Sequence, residues 1–350
     1  MGAVRPSPRN PATAMTPSSA ADPLPDPWQA ARDGACHAPL AGLAFIDVEG
    51  ADAATFLNGQ LSNDVTSLQP GAAQWTSYNS PKGRMLANPL LWRPAAGPAY
   101  RLALPADVAA AVRKRLQMFV LRSKVVLKDP DALTAIGVGG PGAAAAVAGV
   151  LGRPPAVMRV TDATTGGAAA IGLADGRVLV IVPAGEAGDI GARLSAVATP
   201  APETVWRWLA IRAGVAQIVA PAQDRHVAQT ANWEVVGGVS FTKGCYTGQE
   251  IIARAQHLGI VKERAHPFHA PAPAPAPATP LYSPPFGDQA CGSVLDAVDV
   301  PEGGSDLLAV AQLAAVESGD IRLGAPDGPR LVRLPLPYTL PASAPRRVKL

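Results

Sequence analysis

Reactive and conformationally free residue types come together in one stretch of this chain, Lys243-Gly244-Cys245-Tyr246-Thr247-Gly248-Gln249-Glu250, which runs on into Ile251-Ile252-Ala253-Arg254. Thr247 and Glu250 stand at capping-box spacing, and Ile251, Ala255 and Leu258 repeat on one helical face. The spacing therefore predicts a helix starting after Tyr246, preceded by a short extended run. Cys245 is expected just ahead of that helix, where unpaired N–H groups and the Lys243 ammonium favour a thiolate. Gly244 and Gly248 let backbone or a ligand approach closely. A thiol so placed suits a nucleophile, a redox group or a metal ligand. A lone cysteine is also often a small buried hydrophobe, and spacing alone leaves both roles open.

Cys36, Cys245 and Cys291 stand far apart with no CxxC pair. That pattern excludes a disulfide framework or a self-contained zinc or cluster motif, and fits a reducing cytoplasm. Charged residues make up 16% and hydrophobic ones 48% of 350 residues, enough for two or three folded domains. The net charge of +3 is too small to argue for nucleic acid on overall electrostatics. No apolar run has the length of a membrane span.

Residues 1–35 are rich in Pro, Ala and Ser without periodicity and are expected to be a disordered tail; Met15 is an alternative initiator. Leu43 to Asp47 reads as a strand and Ala51 to Leu57 as a short helix. Two further strands, Gln74 to Asn79 and Arg84 to Trp92, are joined by the turn Ser80-Pro81-Lys82-Gly83. Tyr100 to Leu104 is a strand. Ala106 to Met118 is a helix with Val108, Val112, Leu116 and Phe119 toward the core. Residues 131–199 alternate apolar strands (Leu133 to Val138, Val178 to Val182) with alanine-rich helices (Ala143 to Leu151, Ala187 to Val197). Their glycine-rich run Gly137 to Gly142 lacks the GK[ST] that a phosphate loop needs. Glu203 to Ala213 is a helix ended by Gly214. The alternating Ala-Pro run inside 266–280 reads as a polyproline spacer. Short strands over 281–340 suggest a small antiparallel barrel, with Cys291 in its core.

The string from Lys243 to Glu250 resembles the signature of the YgfZ-type folate-binding proteins, relatives of the T protein (aminomethyltransferase) of the glycine cleavage system. Two upstream blocks are similar to the same pattern: Phe56-Leu57-Asn58-Gly59-Gln60-Leu61-Ser62-Asn63-Asp64-Val65 and Ser80-Pro81-Lys82-Gly83-Arg84-Met85-Leu86. Arg212-Ala213-Gly214, Gln229, Asn232 and Trp233 match it as well, whereas His226 and Ala228 depart from its usual Phe and Pro. The resemblance spans roughly Leu40 to Pro337.

It implies an α+β, T-protein-like multidomain fold: two α+β domains around a central cavity and a C-terminal antiparallel β-barrel. The corresponding division is 36–130 with 200–265 as a discontinuous folate-binding domain, 131–199 as a second α+β segment, 266–280 as linker and 281–340 as barrel. The implied cofactor is tetrahydrofolate or a one-carbon derivative. Glu250, Gln249 and Asn63 are candidates for the pterin edge, and Arg254, Lys243 and Arg84 for the glutamate end. Gly244 and Tyr246 complete the expected ligand loop.

The family is known for iron–sulfur cluster assembly or repair, linked to tRNA modification through cluster-dependent enzymes. A lone Cys245 would hold a transient cluster only when shared with a partner. Iron–sulfur proteins are thus the implied partners. A folate-dependent one-carbon transferase is the alternative. The T protein carries acidic residues where this chain has Leu86 and Ala87, which weighs against that alternative. Arg113, Lys114, Arg115, Arg122, Lys124 and Lys128 form the most basic stretch, either a solvated face or a surface for the folate polyglutamate tail or for tRNA.

Overall fold

The computed structural model describes residues 1–2, 26–130, 132–257 and 261–341. Five antiparallel strands form the first sheet, in the order Ala73–Trp75, Leu90–Trp92, Tyr100–Pro105, Leu43–Glu49, Val126–Lys128. Strand alternation sends Ile46, Val48, Leu102 and Leu104 to one face, where helices Ala53–Gln60 and Ala106–Met118 close a core with Leu57 and Leu116. Phe45, Leu90, Trp92 and Ala103 point to the other face and meet a second sheet. Both faces are covered, which is why these strands read as nearly unbroken apolar runs.

The second sheet has the order Val160–Asp162, Ala169–Gly172, Val178–Pro183, Leu133–Gly139, Cys36–Pro39, Thr199–Pro200. Its pairs are antiparallel except Cys36–Pro39 with Thr199–Pro200. Ala135, Ile171, Leu179 and Ile181 pack toward the first sheet, and helices Ala143–Leu151 and Ala187–Ser195 cover the opposite face. Residues 36–39, assigned from sequence to the first domain, therefore belong to this sheet. Their partner strands are distant in sequence, so nothing local announces it.

Two expected boundaries move. The tail assigned to 1–35 gives way at Asp26: Pro27–Asp33 is a helix with Pro27 in its first turn and the Asp26 carboxylate accepting from Gln29 N–H at 3.3 Å. Ala30 and Ala31 are buried and Trp28 meets Trp208 edge-on at 5.6 Å. Residues 3–25 of the expected tail lie outside the described residues. The linker assigned to 266–280 also shrinks, because His266 to Ala270 lie in the strand Glu263–Ala270. Pro267 is tolerated there since its carbonyl accepts from Leu334 N–H. Its missing donor thus faces the two-residue edge strand Val332–Arg333 rather than the long neighbour Ser305–Gln312.

The C-terminal sheet is antiparallel, in the order Arg322–Leu323, Pro280–Tyr282, Gly292–Asp299, Ser305–Gln312, Glu263–Ala270, Val332–Arg333. It curls until its ends meet: Leu331 N–H donates to Ile321 O (2.8 Å) just before the chain joins Glu263–Ala270. Cys291 is buried in its core, as expected. Helix Glu203–Arg212 ties the units together. Trp206 enters the core between the first two sheets, while Trp208 donates from Nε1 to Asp306 Oδ2 at 2.8 Å on the C-terminal sheet. Helix Ala106–Met118 matches its expected bounds, but Phe119 follows it and is 41% exposed, not core.

Candidate functional site

The signature segment is an irregular loop with no strand ahead of Lys243, and it leads into helix Gln249–His257. Thr247 therefore sits in a turn rather than at the cap. Ile252, not Ile251, is the inward residue: Ile252 is fully buried and Ile251 is 39% exposed. Leu258 lies outside the described residues. What fixes this short loop is contact with both upstream sequence blocks.

Lys243 makes the first contact. Its Nζ donates to the carbonyls of Asn58 (2.6 Å), Leu61 (2.6 Å) and Asn63 (2.9 Å). These lie at the end of helix Ala53–Gln60, where carbonyls lack intrahelical partners and a cation is favoured. All three ammonium donors are used, and the Tyr246 ring centroid lies 5.0 Å from Nζ. Burial pulls the Lys243 pKa down to about 8, with Asp64 acting in the opposite sense.

The second contact is backbone on backbone. In the turn after Asn79, Gly83 N–H donates to Ser80 O at 2.9 Å, and Ser80 Oγ donates to Asp224 Oδ1 at 2.6 Å. Gly248 lies against this turn with φ of +80°, and a Cβ there would stand 2.6 Å from Ser80 O and 2.7 Å from Gly83 Cα. Only glycine fits such a conformation and approach.

A buried polar network backs the loop. Ser62 Oγ donates to Gly238 O (2.6 Å) and accepts from Ser77 N–H (2.8 Å). Fully buried Trp233 donates from Nε1 to Thr76 O at 3.0 Å. Gln229 Nε2 donates to Ile252 O at 2.7 Å, pinning the helix that follows the signature. Behind it, Arg264 Nη1 bonds Glu234 Oε1 (2.5 Å) and Gln229 O (2.7 Å), a buried ion pair with no local sequence signal. Burial pushes the Glu234 carboxyl upward against the pull of Arg264.

Cys245 is exposed at the tip of this braced loop, whereas Cys36 and Cys291 are buried, their thiols pushed up to about 11 by burial. Gly244 beside it has nothing within 4 Å of an added Cβ. The other predicted site residues divide. Asn63 is engaged in the scaffold: its Nδ2 donates to Trp75 O and Gly237 O, both at 2.8 Å, and its Oδ1 accepts from Asp64 N–H at 2.9 Å. Lys243 is engaged likewise, and Tyr246 is buried, its hydroxyl pKa raised to about 12. Gln249 is half-buried, and Glu250 and Arg254 are exposed on the following helix. Arg84 is exposed on the adjoining turn, its Nη1 donating to Asp224 O at 3.2 Å.

Away from the loop, two adjoining cavities share Leu43, Pro105, Trp206 and Gln217. The outer, about 470 Å³, is lined by Asp107, Glu203, Arg207 and Asp296. The inner, about 30 Å³, lies between the first two sheets and is lined by Trp75, Asn88 and Arg177. Arg177 is 3% exposed, bonds Asp175 (Nη2 to Oδ2, 2.7 Å) and stacks 4.5 Å from the Trp206 ring centroid. Its Nη1 is buried without a partner. Sequence reasoning missed this set, because only tertiary structure brings residues 75, 177 and 206 together. Asn88, next to Leu86 and Ala87, spends its amide on Ala216 O and Ile218 N–H, both at 2.8 Å. Leu86, Ala87 and Asn88 thus bring no carboxylate to this strand end.

Among the described residues, no three His, Cys, Asp or Glu side chains gather as a metal-binding group, and no helix is long and apolar enough to cross a membrane. No family model matches the chain. Over 298 residues it is 30% identical to the tRNA-modifying protein YgfZ of Edwardsiella ictaluri, spanning 84% of this chain and 89% of that one. Over 304 residues it is 29% identical to the tRNA-modifying protein YgfZ of Vibrio vulnificus strain YJ016, spanning 86% and 91%. In fold it resembles the glycine cleavage system aminomethyltransferase T of Bartonella henselae, with a TM-score of 0.72 at 16% identity, covering 88% of this chain and 86% of that chain. The expected T-protein-like architecture is therefore present, and the identity holds across nearly the full length of the relatives: the chain belongs to the YgfZ family.

Proposed function

We propose that this protein is a cytoplasmic folate-binding accessory factor in tRNA modification, which supports assembly or repair of the iron–sulfur clusters of the modifying enzymes through Cys245. The observation that carries the reading is the exposed thiol on a loop held by the Lys243 clamp and the Gly83–Gly248 contact, while the other two cysteines are buried. A cluster contact needs a fixed, accessible thiolate, and a single one suffices when a partner supplies the remaining ligands. Relatives named for tRNA modification give the process, and the T-protein fold supports folate as the ligand.

Tetrahydrofolate, or a one-carbon derivative, suits the outer cavity of about 470 Å³ better than the face of the signature loop. A reduced pterin calls for flat apolar walls and a few polar groups. In the outer cavity Trp206 provides a wall and Gln217 an amide, while the inner one, about 30 Å³, has room for a water molecule and not for a pterin. Lys243 and Asn63 contribute by shaping the loop rather than by touching folate. The transferase alternative lacks its carboxylate at Leu86, Ala87 and Asn88.

The test pairs calorimetric titration with tetrahydrofolate and cluster-enzyme activity in cells whose only copy carries Cys245→Ser. Binding by the wild type, weakened by Gln217→Ala, with loss of cluster-enzyme activity for Cys245→Ser, is the expected result. Absence of folate binding overturns the ligand, and full cluster-enzyme activity with Cys245→Ser overturns the role of the thiol.

A further inference from the structure

The run from Val108 to Lys128 contains Arg113, Lys114, Arg115, Arg122, Lys124 and Lys128 and no acidic residue. The fold neutralises part of it: Arg113 pairs with Asp129 at 3.0 Å and Lys128 with Glu49 at 2.8 Å. Asp52, which lines the concavity at the tip, accepts from the Lys124 backbone N–H through Oδ2 at 2.7 Å. Lys114, Arg115, Arg122 and Lys124 surround a cap of apolar side chains where the helix ends. Met118 is 66% exposed, Phe119 41%, Leu121 86% and Val126 56%, the largest group of exposed apolar residues close together in the described sequence. Leu121 is held at φ of +45°, a conformation that side chains adopt rarely. Arg115 lies over the Phe119 ring, 5.8 Å from its centroid. Asp52, Phe119, Val120, Leu121, Arg122 and Ser123 line an open concavity of about 710 Å³.

We propose that this tip is a docking surface for tRNA, in which an unstacked loop base enters the concavity against Phe119 and Leu121 while Lys114, Arg115, Arg122 and Lys124 hold the flanking phosphates. Sequence-tolerant RNA recognition combines these parts: aromatic or apolar walls for a splayed base and cations for the backbone. A concavity favours an inserted base over a flat anionic surface, and the four basic side chains of the tip outnumber Asp52, the one carboxylate that lines it, which favours phosphate. The proposal rests on the reading above only for the choice of tRNA as the RNA. It concerns a surface separate from Cys245 and from the folate cavity.

The experiment is fluorescence anisotropy of a labelled, unmodified tRNA transcript with the full chain at 50–200 mM KCl. Four phosphate contacts at about 0.9 each predict a log–log salt slope of about −3.6, or roughly a 150-fold loss of affinity across that range. Arg122→Glu with Lys124→Glu should bring the slope to about −2. Phe119→Ala should weaken binding about 5- to 100-fold at unchanged slope, the signature of lost stacking. These side chains are exposed, so unchanged thermal unfolding of the variants is the folding control. No transcript binding at 50 mM KCl, or variants that bind like wild type, overturns the proposal. So does wild-type binding to phosphatidylcholine–phosphatidylglycerol vesicles that the same substitutions abolish while tRNA is ignored. Folate calorimetry reads neither outcome, so this surface and the proposed function fail separately.

Discussion

Gly248→Ala is the sharpest perturbation of the signature loop, because its cost follows from two distances and one angle. At φ of +80° an alanine is in the left-handed region, which costs about 1–2 kcal/mol relative to glycine. Its Cβ would stand 2.6 Å from Ser80 O and 2.7 Å from Gly83 Cα, both backbone atoms of a hydrogen-bonded turn that no rotamer change relieves. Overpacking of that kind adds about 1–3 kcal/mol, so the expected loss is about 2–5 kcal/mol. Gly244→Ala, four residues earlier, meets nothing within 4 Å and has no positive φ; it should stay within about 0.5 kcal/mol of wild type. Urea unfolding of the full chain followed by tryptophan fluorescence reads both, since Trp233 and Trp75 sit behind the loop at 5.4 Å between ring centroids. A Gly248→Ala loss below about 1 kcal/mol, or equal losses at the two glycines, would refute the argument that Gly248 serves to dock the turn.

Lys243→Met should cost about 2–3 kcal/mol by stripping a charged donor from three carbonyls, and Lys243→Arg should not restore it, because a planar fork cannot converge on one point; chemical denaturation checks both. Iodoacetamide on the native protein should alkylate Cys245 and spare Cys36 and Cys291, whose thiols lie near 11; peptide mass spectrometry that finds either buried cysteine modified at a similar rate contradicts the burial pattern. His226 and His266 are held down to about 4 by burial, against 6.5 in the unfolded chain. The unfolded state thus takes up these protons first, so stability is whole above pH 6.5 and falls as pH drops toward 4, by at most about 1.4 kcal/mol per pH unit for each. His226→Phe, the residue usual in the family pattern, should halve that slope in urea titrations between pH 6.5 and 4.5, and an unchanged slope would remove His226 from the account.

Local spacing made the long helices and buried strands legible. Ala106–Met118 and Ala143–Leu151 match their expected bounds because apolar periodicity ran to their ends. The short elements went unseen for a matching reason. Pro27–Asp33 offers seven residues, too few for a period, and its stability comes from burying Ala30 and Ala31 in tertiary structure. Pro267 reads as a breaker unless it is known which neighbour its N–H would have faced. At the site, the motif announced where chemistry is concentrated but not how the work divides within it. Lys243 and Cys245 are two residues apart and have opposite fates, one half-buried with its ammonium on three carbonyls and one exposed. Only the position of residues 58–63, some 180 positions away in the chain, decides that.

That division accounts for the length of the signature. A reactive thiol alone needs a cysteine and a neighbouring charge. A thiol held at a fixed place on the surface needs every neighbour to be committed elsewhere: Lys243 to the end of helix Ala53–Gln60, Tyr246 to the core, Gly248 to the turn at Gly83, and Gln249 to the start of the next helix. Gly244, Cys245 and Glu250 are the members of that run left exposed. Such a loop is braced where it is buried and open at Cys245, and under the proposed role that suits handing a ligand to a partner better than enclosing a substrate. The three glycine-dependent contacts, at Gly83, Gly238 and Gly248, give the loop little room to close over anything. The proposed chemistry at Cys245 therefore depends on what docks against it from outside.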